Sequence, residues 1–339
     1  MTCRCGIDTH AHVVPQNLPR YLGSDMPSDW PSMAPAHACH RSVMIAGKVY
    51  RTVSEQCWDT GRRLEDLAAM GLDLQVISPM PELLSCWMKA ADAQPLLRYL
   101  NEQIAAMVAE SNGSLAGFGA VPLQDPELAI RELEHGVQTL GLSGVEVGSN
   151  INGRPIGAPE FEPFLAACAA MGAAVFVHAI RPAGMDRLIG PPPLQQVLGY
   201  PGDVGLAAAS VLTSNLIERH PDLRIAFSHG GGTLAMLLPR LQQGWKVFPA
   251  LKESIASAPD EQVRKLFFDT LVFDVPTLRH LVSLFGETQL MIGTDYPFNF
   301  HERAPVAAIE AAGFSSVTRD LLLRGNAQRF LQHPVQEPA

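Results

Sequence analysis

Residues 7–13 read IDTHAHV, three apolar side chains interleaved with polar ones and two histidines two positions apart. Side chains two apart on an extended strand share a face, so His10 and His12 point to one spot. Runs of similar length and two-sided apolar character recur at 73–80 (DLQVISPM), 115–122 (LAGFGAVP), 144–149 (GVEVGS), 173–179 (AAVFVHA), 224–229 (RIAFSH), 266–271 (LFFDTL) and 289–294 (QLMIGT). Apolar character on both faces is the pattern of buried parallel strands. Helical segments fall between them, near 60–70, 91–112, 126–140, 160–171, 203–219, 232–247, 275–286 and 302–312, with a last helix near 316–331. Eight strands with helical crossovers predict an α/β fold, a distorted (β/α)8 TIM barrel. A doubly wound sheet is the alternative. It loses its nucleotide-binding versions, because no GxGxxG follows the first strand and no GxxxxGK[ST] occurs anywhere.

With 339 residues, 47% of them hydrophobic and 17% charged, the chain is long enough to bury a large core without disulfides. No apolar run reaches the roughly 18–20 residues of a membrane helix. The opening MTCRCGIDTHAHVV has neither the basic region nor the apolar stretch of a signal peptide. A net charge of −9 argues against nucleic acid or an anionic membrane as partner, although a few local arginines would still accept an anionic small molecule. The six cysteines are scattered and form no CxxC, which fits reduced thiols and a cytoplasmic location. The expected organisation is a single barrel domain over 1–339, with an insertion over the rim at about 14–60. A second irregular stretch runs from 181 to 203 and contains three consecutive prolines. The tail HPVQEPA (333–339) is expected to fray.

The chemistry gathers at strand ends. His10 and His12 close the first strand, His178 closes AAVFV, His229 closes RIAFS ahead of three glycines, and Asp295 follows QLMIGT. In a barrel these ends face one rim, where active sites are built. His10, His12, His178 and Asp295 offer three nitrogens and one oxygen to one divalent metal, best suited to Zn2+, with Mn2+ or Fe2+ as alternatives. The competing reading, core histidines bonded to backbone carbonyls, explains one such residue more readily than this set. His229 fits an acid/base handling the proton of a metal-bound water. The HGGG sequence resembles an esterase oxyanion loop, but no GxSxG nucleophile elbow exists in the chain. Glu146 alternates with Val145 and Val147 and is read as facing the barrel interior, close to the ligands. Trp58 and Asp59 are read as anchoring the insertion. His37, Cys39 and His40 are read as an ordinary loop.

IDTHAH, VFVHA, FSHGGG and IGTDYPF, in this order, resemble the amidohydrolase superfamily, and more narrowly its metal-dependent decarboxylase branch. VYRTVSEQCWD, DLQVISPMPEL and GAVPLQDPELA extend the resemblance over nearly the whole chain. It implies a barrel with a small insertion and one metal, usually zinc, on residues matching His10, His12, His178 and Asp295. His229 would manage the water proton. Arg51, in VYRTV, would bind a substrate carboxylate, and Phe298 would line the pocket. Arg240, in LPRLQQGW, would reach the neighbouring subunit's site, which implies a homodimer. The stretch after His178 departs from the pattern, and its Arg181 and Arg187 are read as surface charges.

The expected activity is non-oxidative decarboxylation of an unsaturated or aromatic carboxylic acid. Arg51 and the metal would orient the small anionic substrate, with His229 and Asp295 moving protons. The alternative is hydrolysis of an ester, lactone, amide or imine, or hydration, by the same metal-activated water. A binding protein without catalysis is the third reading.

Overall fold

The computed structural model describes residues 6–332. Cys3, Cys5 and the 333–339 tail lie outside the described residues. All eight expected strands form, as β1 (Gly6–Val13), β2 (Leu72–Pro79), β3 (Leu115–Gly119), β4 (Gly144–Gly148), β5 (Ala174–His178), β6 (Ile225–Phe227), β7 (Phe267–Asp269) and β8 (Leu290–Met291). They lie in chain order in one parallel sheet. That sheet closes on itself. Asp8 bridges Ile292 and Ala11 bridges Tyr296, with Thr9 N–H donating to Ile292 C=O at 2.8 Å and His12 N–H to Tyr296 C=O at 2.7 Å. The fold is therefore a distorted (β/α)8 barrel and not a doubly wound sheet.

Each strand is followed by a helix: α1 (Thr60–Ala69), α2 (Ala90–Glu110), α3 (Pro126–Glu134), α4 (Glu162–Met171), α5 (Tyr200–Thr213), α6 (Leu234–Val247), α7 (Val275–Phe285) and α8 (Pro305–Ala311). Several begin where the sequence supplies a cap. Asp59, Asp125 and Asp274 accept from the N–H three residues on, which satisfies an otherwise orphaned donor. Asp59 thus starts α1, and Trp58 packs against the core, so the pair does anchor the insertion. The expected helix at 203–219 is broken at Asn215, whose φ of 59° ends one helix and opens a short second one at Leu216–Arg219.

The barrel interior is filled, not hollow. Ile7, Val76, Phe118, Phe176, Phe267 and Phe330 form a buried cluster under the site. Burying each aromatic ring contributes about 1.5–3 kcal/mol. Phe176 lies with its ring centroid 4.9 Å from that of His10, so the site rests on a packed floor.

The insertion carries structure that the sequence reading did not anticipate. Strands Ser32–Pro35, His40–Ile45 and Lys48–Ser54 make an antiparallel sheet, its hairpin turned at Ala46 and Gly47 with φ of 50° and 71°. Short strands in a Pro- and Ser-rich segment give little periodicity to read. Val43 and Val53 pin this sheet to the main core, and Arg51 lies on its last strand opposite Val43.

Candidate metal centre and its cavity

Four side chains expected to share the rim do converge. The donor atoms of His10, His12, His178 and Asp295 all lie within 4.8 Å of one another. His10 Nε2 is 3.1 Å from His12 Nε2, and Asp295 Oδ1 is 3.1 Å from His12 Nε2 and 3.7 Å from His10 Nε2. The strand geometry explains the convergence. His10 and His12 share one face of β1, His178 ends β5, and Asp295 sits beyond β8 with φ at 62°. Its backbone N–H is bonded to His10 C=O at 2.8 Å, which fixes that turn against β1.

Each imidazole is held by its far nitrogen. Nδ1 of His10 lies 2.7 Å from Asp269 Oδ2, Nδ1 of His12 is 3.2 Å from both Pro79 C=O and Ser78 Oγ, and Nδ1 of His178 is 2.8 Å from Ala179 C=O. This leaves Nε2 of each aimed at the shared point, and that of His178 is buried without any hydrogen-bond partner. Burial pushes His10 and His12 down to about 3 and His178 well below its ordinary value, with the neighbouring imidazoles adding to the effect on His178. All three are therefore neutral, as ligands must be. An orphaned nitrogen among neutral imidazoles and a carboxylate suits a single divalent cation. Among the described residues no other group of three or more His, Cys, Asp or Glu donors converges in this way. His37, Cys39 and His40 accordingly form no such cluster, and Arg187 is exposed.

His229 sits beside the four. Its ring centroid is 5.1 Å from that of His178 and 5.5 Å from that of His10. It is not the end of a strand but the first step of a tight turn beyond β6, with φ at 55°. Burial holds it at about 3, so it too is neutral. Glu146 is fully buried, accepts from Ser78 Oγ at 2.5 Å and stands 3.6 Å from His12 Nδ1. Burial raises its carboxyl well above the usual range, and its Oε1 has no partner.

Above the four donors opens a cavity of about 320 Å³, large enough for a single substituted ring, lined by Arg51, Tyr200, His229, Leu271, Asp295 and Phe298 among others. Phe298 stacks on His12 at 5.4 Å, and the Arg51 guanidinium carbon lies 4.1 Å from the Phe298 centroid. The pair also borders a second, outer cavity of about 810 Å³ on the insertion side. Arg181 is at the rim but committed elsewhere, bonded to Glu82 at 2.8 Å and stacked on Trp87. Arg240 is not in this cavity. It is exposed on α6, along an outer groove with Leu237, Val247 and Phe248.

Asp269 escaped the sequence reading although it sits at the end of β7 in the apolar run LFFDTL. The rule that singled out His178, a polar residue closing a buried strand, points to it equally. Asp8, inside β1, escaped the sequence reading as well. It accepts from Gln75 Nε2 at 2.8 Å, from Thr294 Oγ1 at 2.6 Å and from His10 N–H at 3.1 Å, and so ties β1 to β2 and to the segment that follows β8.

The barrel and the donor set define an amidohydrolase. The family model described as amidohydrolase matches residues 7–332, and the chain belongs to that family, within its decarboxylase branch. It is 36% identical to 2-amino-3-carboxymuconate-6-semialdehyde decarboxylase of Dictyostelium discoideum over 96% of this chain and 91% of that one. It is 30% identical to 6-methylsalicylic acid decarboxylase of Penicillium expansum over 68% of this chain and 71% of that one. In fold it resembles dihydroxybenzoic acid decarboxylase of Polaromonas sp. JS666, solved with manganese and 2-nitroresorcinol. The TM-score is 0.79 at 21% identity, covering 97% of each chain.

Proposed function

We propose that the protein is a metal-dependent, non-oxidative decarboxylase of a small unsaturated or aromatic carboxylic acid. The observation that carries this reading is a three-imidazole, one-carboxylate donor set opening into a one-ring cavity whose rim holds an arginine without an ion-pair partner among the described residues. The relatives named above act on acids of these two kinds by their names, a conjugated semialdehyde and a methylsalicylate.

A divalent ion on His10, His12, His178 and Asp295, for which we favour Zn2+, would polarise a substrate oxygen and acidify water. Arg51 forks a substrate carboxylate through two parallel N–H donors. Phe298 gives the conjugated part of the substrate a flat face beside His12. As CO2 leaves, the bonding pair stays on the substrate carbon and spreads into the conjugated system, and a proton takes the place of CO2. His229, neutral and half-buried, is the group that takes up this proton from water and passes it on. Its Nδ1 lies 3.3 Å from Ser228 Oγ, while Nε2 has no hydrogen-bond partner among the described residues. Asp295, 3.1 Å from His12 Nε2, can share the proton traffic.

We also place Arg240 in a neighbouring subunit's site. The exposed apolar side chains of Leu237, Val247 and Phe248 line the groove it borders, and a second copy would cover them.

The test is product analysis with candidate muconate semialdehydes and hydroxybenzoates. Metal-dependent CO2 release, with product lighter by CO2, is the expected result. A mass gain of one water without CO2 would replace this reading with a hydrolase or hydratase. Metal analysis of the purified protein checks zinc.

A further inference from the structure

Asp269 makes four hydrogen bonds, and they run in two directions. Oδ2 faces His10 Nδ1 at 2.7 Å and accepts from His229 N–H at 2.9 Å. Oδ1 accepts from Gly230 N–H at 2.7 Å and from Leu271 N–H at 3.0 Å. The residue is wholly buried, so water cannot substitute for any of these contacts. His229 and Gly230 both have left-handed backbones, with φ of 55° and 62°. An unassisted histidine rarely adopts that conformation. A carboxylate that already collects three backbone N–H groups acts as acceptor, so the hydrogen shared with His10 belongs to imidazole Nδ1. A neutral imidazole with Nδ1–H has a bare lone pair on Nε2, the atom that faces the other donors.

From this geometry we infer that Asp269 is a positioning residue with two outputs: it selects the Nδ1–H tautomer of His10, and it holds the strained His229–Gly230 turn. One carboxylate thereby couples the metal-binding edge of His10 to the placement of the proposed acid/base. An asparagine cannot replace it. With its oxygen toward His10 and His229, its NH2 opposes the N–H groups of Gly230 and Leu271. Reversed, the NH2 donates to His10 Nδ1, drives the ring to the Nε2–H tautomer and removes the lone pair that would bind the ion.

The significance of His229 rests on the proposed function, so the test is read without turnover. In metal-free protein with 15N-labelled histidine, long-range 1H–15N spectra should show His10 as the Nδ1–H tautomer, its signals assigned by their loss in His10→Gln. An Nε2–H tautomer overturns the inference, and this measurement needs no variant at Asp269. In Asp269→Asn, Zn2+ affinity by chelator competition should fall by about 10–100-fold, and the His229 and Gly230 amides should exchange at least about tenfold faster. Zn2+ affinity within twofold of the parent, or unchanged amide exchange, overturns it. If no acid releases CO2, the decarboxylase reading fails while these results still stand.

Discussion

Arg51 holds its charge over the Phe298 ring, with no carboxylate of the described chain within ion-pair distance. A cation kept in this state at a cavity mouth is available to an incoming anion. Removing it deletes a charge-assisted contact of about 1.5–3 kcal/mol, so Arg51→Ala should raise KM for the acid by roughly 10–100-fold. Arg51→Lys should fall between the two, because it keeps the charge and loses the fork. Steady-state kinetics checks both. The histidines set a second expectation. Protons and metal compete for the same Nε2 lone pairs, and for ordinary imidazoles, near 6.5, metal affinity falls as pH drops below that value. His10 and His12 are depressed to about 3 and His178 is also lowered, all mainly by burial, so their proton competition is displaced to well below pH 6.5. Metal affinity measured from pH 7.5 to 5.5 should therefore change by less than about threefold. A fall of tenfold or more for each unit would show that these rings titrate normally.

The turn from β6 into α6 shows how an element places a residue. Gly232 has φ 58° and ψ −129°, and a Cβ there would run into Pro201 C=O, the group that accepts from Thr233 N–H at 3.0 Å. Gly232→Ala should cost at least about 1–3 kcal/mol and lower the melting temperature by several degrees in a thermal scan. His229 should be displaced with the turn, so activity should fall more steeply than stability. The strands of the barrel were legible in the sequence because eight two-sided apolar runs alternating with helical segments leave few other readings. The donor set was legible because a parallel barrel brings all C-terminal strand ends to one rim. What stayed hidden is of two kinds. The sheet of the insertion rests on three short strands with mixed burial, in which no period stands out. Asp269 and Asp8 act on backbone N–H groups and on the far sides of rings, and such partners leave no spacing in the sequence.

At the scale of the whole molecule, Arg240 separates a monomeric enzyme from one whose sites are shared. It lies on the outer face of α6, away from its own cavity. Arg240→Ala and His178→Ala proteins should each be nearly inactive alone. Subunit exchange between them should restore about a quarter of parental activity, since half the dimers would be mixed and each would own one complete site. No recovery after verified exchange would return Arg240 to an ordinary surface charge. Barrel closure has a consequence for how the protein is made. The hydrogen bonds from Thr9 to Ile292 and from His12 to Tyr296 join the two ends of the chain, and the four donors span that seam. During translation at about 5–20 residues per second, His10 and His12 leave the ribosome first and Asp295 follows on the order of 15–60 s later. A nascent chain thus carries an incomplete chelate until Asp295 has emerged. The full complement of ligands exists only once the last strand has docked against the first, so closing the barrel and completing the chelate are one event.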